Sequence, residues 1–271
     1  MFAGFNLTLN SMDLIELSAY KEQGDQLFKE QKKEIVAALE KYINVDGSLE
    51  ASKIEEDWFT PIRSHIFLSH SHDDEEMVKQ LAGYLKHTYG IECFIDSCVW
   101  GYANDLLKEI DNKYCRYQET DGQFFYEYDN RNRSTSHVHM LLNGALAKMI
   151  NKTECLFFVN TPNSVNAQDA ENPSKTASPW IYSELLMATE FPHEKLSKYR
   201  EGESYEERGY FEHAELQINY DIKIDKLTEL YFSDLKKMKF KDETQDPLRC
   251  IIIVVKCLLV IEELMVKKLR L

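Results

Sequence analysis

From Pro61 onward, short apolar runs alternate with amphipathic stretches, and each change of texture is marked by a polar cluster or a glycine. His65-Ile66-Phe67-Leu68-Ser69 has the unbroken apolar character of a buried parallel strand and ends in Ser69-His70-Ser71-His72-Asp73-Asp74. Asp73 and Asp74 are placed to cap a helix from about Glu75 to Thr88, with Met77, Val78, Leu81, Tyr84 and Leu85 inward and Gly90 as its stop. A second strand, Ile91 to Ile95, ends at Asp96. Beyond the loop Ser97 to Tyr102, a helix spans about Ala103 to Tyr114. Arg116 to Ser136 is polar, rich in Tyr and Asn and without periodicity, so it reads as an insertion or a lid. A helix from Val138 to Ile150 leads to a third strand, Glu154 to Val159. A Pro/Asn/Ser-rich loop, Asn160 to Ala177, then precedes a helix entered at Ser178-Pro179 and running to about Thr189.

Strand and helix in alternation predict a parallel sheet covered on both faces and joined by right-handed crossovers. Past Phe191 the pattern weakens. Leu216 to Ile222 is a fourth strand candidate, Lys226 to Lys237 a short helix or turn, and Asp246-Pro247 opens a closing helix over 246–270. No fifth strand can be assigned. At the other end, Leu14, Leu17, Leu27, Ile35, Val36, Leu39 and Ile43 recur at helical spacing with an interruption near Gly24, and Asn44 to Asp57 is acidic and linker-like. The expected organisation is a helical extension and linker over 1–60, followed by one α/β domain over 61–271 with an insertion at about 116–136. The apolar stripe between residues 12 and 43 has no evident place in that domain, so it is a candidate for self-association.

Composition narrows the function. With 271 residues and 44% apolar content a sizeable core is available. A net charge of −14 disfavours nucleic acid and anionic membrane surfaces as partners. None of the six cysteines forms a CxxC pair, most lie in apolar runs, and Met1 to Asn10 lacks the basic and apolar regions of a secretory signal. A cytoplasmic location follows as the expectation. The apolar stretch Cys250 to Ile261 contains Lys256 and falls short of the roughly 20 residues a membrane span needs.

In an open parallel sheet, ligands bind beyond the C-terminal strand ends, where loops and helix N-termini converge. That places Ser69 and His70, Asp96 to Trp100, Asn160 to Asn163, and Trp180 with Glu184 on one rim. Trp180 and Glu184 are spaced i, i+4, on one helical face. An aromatic plate beside a carboxylate suits a nucleoside, because the acid can hold ribose hydroxyls and stabilise the cationic sugar formed as a glycosidic bond breaks. Taken alone, the spacing is a weak pattern that favours a core Trp180 and a solvated Glu184.

Taken together, Ile66-Phe67-Leu68-Ser69-His70-Ser71-His72-Asp73, Gly90-Ile91-Glu92-Cys93-Phe94-Ile95-Asp96, and Leu156-Phe157-Phe158-Val159-Asn160 with Ser178-Pro179-Trp180-Ile181-Tyr182-Ser183-Glu184 resemble the ordered blocks of a TIR domain. The resemblance covers about Pro61 to Phe191 and implies a flavodoxin-like fold and cleavage of the nicotinamide glycosidic bond of NAD. It implies Glu184 as the catalytic residue, Trp180 beside the pocket and Trp100 in a loop that covers the substrate, although Trp100 also reads as a core residue. Ser69, His70, Asp96 and Asn160 complete the expected substrate contacts. NAD enters as substrate, with no cofactor. The Pro-Gly loop of animal adaptor TIRs is absent after Asp96, which weakens an adaptor role. Overall organisation is similar to the bacterial anti-phage TIR proteins of Thoeris-type systems, which make a cyclic or conjugated ADP-ribose messenger for a downstream effector. The class-different alternative is a non-catalytic TIR assembly module.

His65, His70 and His72 resemble a metal cluster in composition, but no fourth ligand is evident. His137 and His139 read as surface or capping residues. Phe124-Phe125-Tyr126 and Tyr128 suit either a lid or an oligomer contact.

Overall fold

The computed structural model describes residues 3–31, 39–100, 103–118, 124–165, 175–190 and 220–236. A five-stranded sheet is built from β1 (Ala3–Thr8), β2 (Ile66–Ser69), β3 (Cys93–Phe94), β4 (Cys155–Asn160) and β5 (Thr228–Tyr231). Their spatial order is β3-β2-β4-β1-β5, with every neighbouring pair parallel. The helices are α1 (Ser11–Leu17), α2 (Lys21–Gln31), α3 (Ala51–Trp58), α4 (Glu75–Tyr89), α5 (Ala103–Ile110), α6 (Tyr128–Lys152), α7 (Pro179–Glu190) and α8 (Phe232–Lys236).

The expected boundary at residue 61 is corrected by the first strand. Residues 3–8 lie inside the sheet, pairing with β4 from Ala3↔Cys155 to Thr8↔Asn160 and with β5 from Phe5↔Thr228 to Thr8↔Tyr231. Phe5 and Leu7 are fully buried, and the Phe5 ring meets Phe157 edge-on at 5.4 Å. Asn10 then caps α1, its Oδ1 accepting from the backbone N–H groups of Met12 and Asp13 while Asp13 Oδ2 accepts from Asn10 N–H. This reciprocal cap turns the chain from strand to helix within two residues.

The helices following β1 do not stand apart either. Chain travel from β1 to β2 and from β2 to β3 runs in one direction across the sheet, so right-handed crossovers put α1, α2 and α4 on one face. Travel reverses after β3, which puts α5, α6 and α7 on the other. Gly24, expected to interrupt the N-terminal helix, lies within α2 and is its point of closest approach to α4: a Cβ on Gly83 would sit 2.7 Å from the Gly24 backbone nitrogen and the Tyr20 carbonyl. Leu17 and Phe28 are buried by this packing. The N-terminal apolar stripe is therefore largely spent inside the fold; Ile35 and Val36 lie outside the described residues.

Other expectations are adjusted in register. Gly90 closes α4 with a left-handed φ of +68°. The polar stretch after Cys115 forms a hairpin, Arg116–Gln118 with Phe124–Tyr126, and is helical from Tyr128, ten residues earlier than its periodicity indicates. What makes that start helical is the buried Asp111 carboxylate, which accepts from Arg131 Nε at 3.0 Å and from Ser134 Oγ. Tyr220–Asp221, from the fourth strand candidate, pairs antiparallel with Lys175–Thr176 outside the main sheet, and Thr228–Tyr231, expected as helix or turn, is the edge strand β5. The closing helix over 246–270 lies outside the described residues.

A chain lacking residues 1–58 loses the strand between β4 and β5 together with the partner of α4. Urea denaturation followed by circular dichroism should show no cooperative transition for it, whereas a folded, soluble product would mean that residues 61–271 are self-sufficient.

Candidate functional site

The C-terminal ends of β2 and β4 flank the point where chain travel across the sheet reverses, the place where an open α/β sheet leaves a crevice. Ser69 ends β2 there and is 1% exposed. Two residues beyond β3, Asp96 begins the helical turn Asp96–Val99 and remains half-buried. Helix α7 packs on β1 and β2 and carries Glu184 into the same rim, where the side chain is 3% exposed.

Burial pushes the Glu184 carboxyl well above the usual carboxylate range, and the negative charge of Asp96 pushes in the same direction. The Ser69 hydroxyl lies close enough to favour the ionised form, yet Ser69 Oγ makes no well-formed hydrogen bond with any protein group. No cation pairs with Glu184 among the described residues. A buried acid with no counter-charge among the described residues, beside a second acid, is costly to ionise, and such a group marks a candidate functional site.

The remaining expected residues divide. His70 follows Ser69 but turns its Nδ1–H back to the Leu68 carbonyl at 3.1 Å, which leaves Nε2 a buried acceptor without a protein partner. Asn160 ends β4, half-buried, two residues past the Phe158 that pairs with Ser69. Trp180 is half-buried on α7 with its ring edge-on to His139 at 5.3 Å, so the i, i+4 pair splits, the indole toward α6 and the carboxylate toward the sheet. His139 is thus a packing partner of Trp180. Trp100 is corrected outright. Its ring is buried against Phe94 at 4.7 Å and Phe59 at 5.8 Å, and its indole N–H donates to the Thr60 carbonyl at 3.0 Å. An indole held on every side by core groups has no face left for a substrate.

Two rim loops are tied together by Asp74, expected as a helix cap, and by Thr161 and Asn163 of the expected rim loop. Asp74 occupies the N-cap position of α4, but its carboxylate reaches across to accept from Thr161 Oγ1 at 2.5 Å and Asn163 Nδ2 at 2.8 Å. Ser164 completes the turn, its Oγ accepting from Thr161 N–H at 2.8 Å and donating to the Val159 carbonyl at 3.1 Å. The signal was the turn-forming Thr161-Pro162-Asn163-Ser164, readable as a turn but not as a bridge.

The histidines do not converge. Glu92 N–H donates to His65 Nδ1 at 2.9 Å, at the opposite end of β2 from His70. Cys98 is pushed up to about 12 by burial and Cys93 is raised further, so neither thiol is a nucleophile at neutral pH. A cavity of about 360 Å³ opens at the N-terminal strand ends between Pro61, Arg63, His65, Lys152 and Glu154, away from the rim where the buried acid lies. Among the described residues, no helix is long and apolar enough to cross a membrane. Comparison with protein-family models, curated proteins and solved structures finds no match.

Trp100→Ala should destabilise the protein by about 3–5 kcal/mol in chemical denaturation, the cost of emptying a large aromatic site. Glu184 should show the reverse. Its raised carboxyl contributes stability below the unfolded-state pKa and loses it as pH rises through the folded-state value. Glu184→Gln should therefore match the wild type near about pH 4 and exceed it by roughly 1–3 kcal/mol at about pH 8. Equal stabilities at both pH values would mean that Glu184 is solvated.

Proposed function

We propose that this chain is a TIR-type enzyme that cleaves the nicotinamide glycosidic bond of NAD, with Glu184 as its catalytic residue. The observation that carries the proposal is Glu184 itself, 3% exposed at the C-terminal rim beside Ser69 and Asp96. These three residues come from the three sequence blocks that resemble a TIR domain, and the strands β3, β2 and β4 of those blocks are consecutive in the sheet. The sheet order β3-β2-β4-β1-β5 departs from the flavodoxin order 2-1-3-4-5 in one place, the fourth, which the N-terminal strand β1 fills.

In this reading Glu184 holds the nicotinamide ribose and stabilises the oxocarbenium-like centre as the C–N bond breaks. Water captures that centre to give ADP-ribose, or a hydroxyl or ring nitrogen captures it to give a cyclic or conjugated product. Ser69, His70 and Asn160 are the remaining rim groups within the scheme, with His70 Nε2 and Ser69 Oγ free to pair with ligand hydroxyls. Trp100 supports the wall from within the core. The product would act as a messenger in anti-phage defence, read by a separate effector in the cytoplasm.

One observation favours the assembly reading. Phe124, Phe125, Tyr126 and Tyr128 are exposed on and beside the hairpin, Phe124 at 51% and Tyr128 at 61%. Such an exposed aromatic patch suits an oligomer contact, and self-association through it is compatible with catalysis.

Incubation of the purified protein with NAD should release nicotinamide, measured by chromatography, and mass spectrometry of the second product separates hydrolysis from cyclisation. Glu184→Gln should lower turnover by at least about a hundredfold with substrate affinity little changed. Nicotinamide release equal in both proteins would remove Glu184 from the mechanism. No release even from assembled protein, with light scattering that responds to Phe124→Ser, would establish the assembly module instead.

A further inference from the structure

The end of the sheet opposite Glu184 holds the cavity of about 360 Å³, and its wall comes from two segments that the strand order makes neighbours. Residues 61–65 lead into β2, and residues 152–154 join α6 to β4. The volume is that of a small-molecule site, far more than one water or metal ion fills.

In a chain of net charge −14, this wall has an excess of positive charge. Arg63 and Lys152 both line it, both are exposed, and neither forms an ion pair among the described residues. The acids nearby are already committed. Lys148, one turn before Lys152 on α6, holds Glu55 at 2.6 Å, and Lys86 pairs with Glu92 beside His65. His65 Nδ1 accepts from Glu92 N–H, so the ring is neutral with its hydrogen on Nε2 and adds no negative charge. Glu154 is the acid of the wall. Ser64 also lines the cavity, is 7% exposed, and its Oγ has no hydrogen-bond partner among the described residues. An enclosed hydroxyl without a partner is costly, and rotation about χ1 lets it serve an occupant of the cavity it lines.

Two cations without acid partners and an unpartnered hydroxyl call for an anion, and a guanidinium fork with an ammonium point charge matches phosphate. Glu154 narrows the choice. Its carboxylate repels a bare anion but accepts from hydroxyl groups, so it favours an anion that carries them. We propose that this cavity binds a phosphorylated sugar, with the phosphate held by Arg63 and Lys152, Ser64 Oγ donating to it, and the sugar hydroxyls donating to Glu154. The site is separate from the Glu184 rim and does not depend on the reading of that rim as a nicotinamide-nucleotide site.

Isothermal titration calorimetry of the full chain near neutral pH, in a phosphate-free buffer with about 0.15 M salt to screen diffuse attraction, tests this directly. The probes are glucose 6-phosphate and ribose 5-phosphate, with inorganic phosphate and glucose as comparators. At least one sugar phosphate should bind about tenfold or more tightly than inorganic phosphate, and glucose should give no binding heat. Arg63→Ala and Lys152→Ala should each weaken that binding by about tenfold or more, and Ser64→Ala by roughly two- to tenfold. Glu154→Gln should tighten inorganic phosphate and shrink the preference for the sugar phosphate, whereas Glu184→Gln should change neither. Both cations are exposed, so urea midpoints of their variants should equal that of the wild type and assign any loss to the site. Three results would each overturn the inference: no binding of either sugar phosphate to the wild type, inorganic phosphate bound as tightly as the sugar phosphates, or undiminished affinity in the Arg63→Ala, Lys152→Ala double variant.

Discussion

The structure depends on the backbone ladder that inserts residues 3–8 between the strands at 155–160 and 228–231. A parallel sheet cannot leave an interior position empty, since the flanking strands would bury unpaired N–H and C=O groups. The N-terminus fills that position from outside the chain order of the other strands. Two consequences follow: α1 and α2 are directed to the same face as α4, and the glycine contact between α2 and α4 lets the two helices lie backbone to backbone. The opposite face is left for α7, whose register on β1 and β2 carries Glu184 to the rim.

Legibility in the sequence tracked hydrophobic continuity. The strands at 66–69 and 155–160 are buried on both sides and are written as unbroken apolar runs, so they were read almost to the residue. Ala3-Gly4-Phe5-Asn6-Leu7-Thr8 interrupts its apolar positions with Gly4 and Asn6, yet both are accommodated by tertiary context: Gly4 faces α7 beside Ala188, and Asn6 Nδ2 donates to Glu229 across to β5 at 2.8 Å. Periodicity does not record such long-range compensation. The same holds for Tyr128 to Ser136, whose polar surface hides a helix anchored by Asp111 through contacts some 20 residues apart in sequence.

For the rim, position was legible and environment was not. Topology predicts that Ser69, Asp96 and Glu184 meet, because each ends a strand or opens the following helix. Nothing local in Trp180-Ile181-Tyr182-Ser183-Glu184 says that the aromatic turns toward α6 while the acid turns under the sheet edge, since one helical turn of four residues overshoots by about 40° and packing decides which flank each residue takes. Trp100 is the sharper case. Its flanking residues read as a loop, and only the placement of Phe59, Phe94 and the Thr60 carbonyl makes it a core residue with a satisfied N–H.

Glu184 also shows why the rim must be braced. A carboxyl whose ionisation is opposed by dehydration gains hydration whenever the loops around it open, so the arrangement favours its own loosening. Opposing this, Asp74 spends its carboxylate not on the helix it heads but on Thr161 and Asn163 of the neighbouring loop, which closes the crevice side of β2 against β4. Two acids thus have complementary tasks. Asp74 gives each carboxylate oxygen a donor and holds two loops together, and Glu184 lies buried with no counter-charge among the described residues.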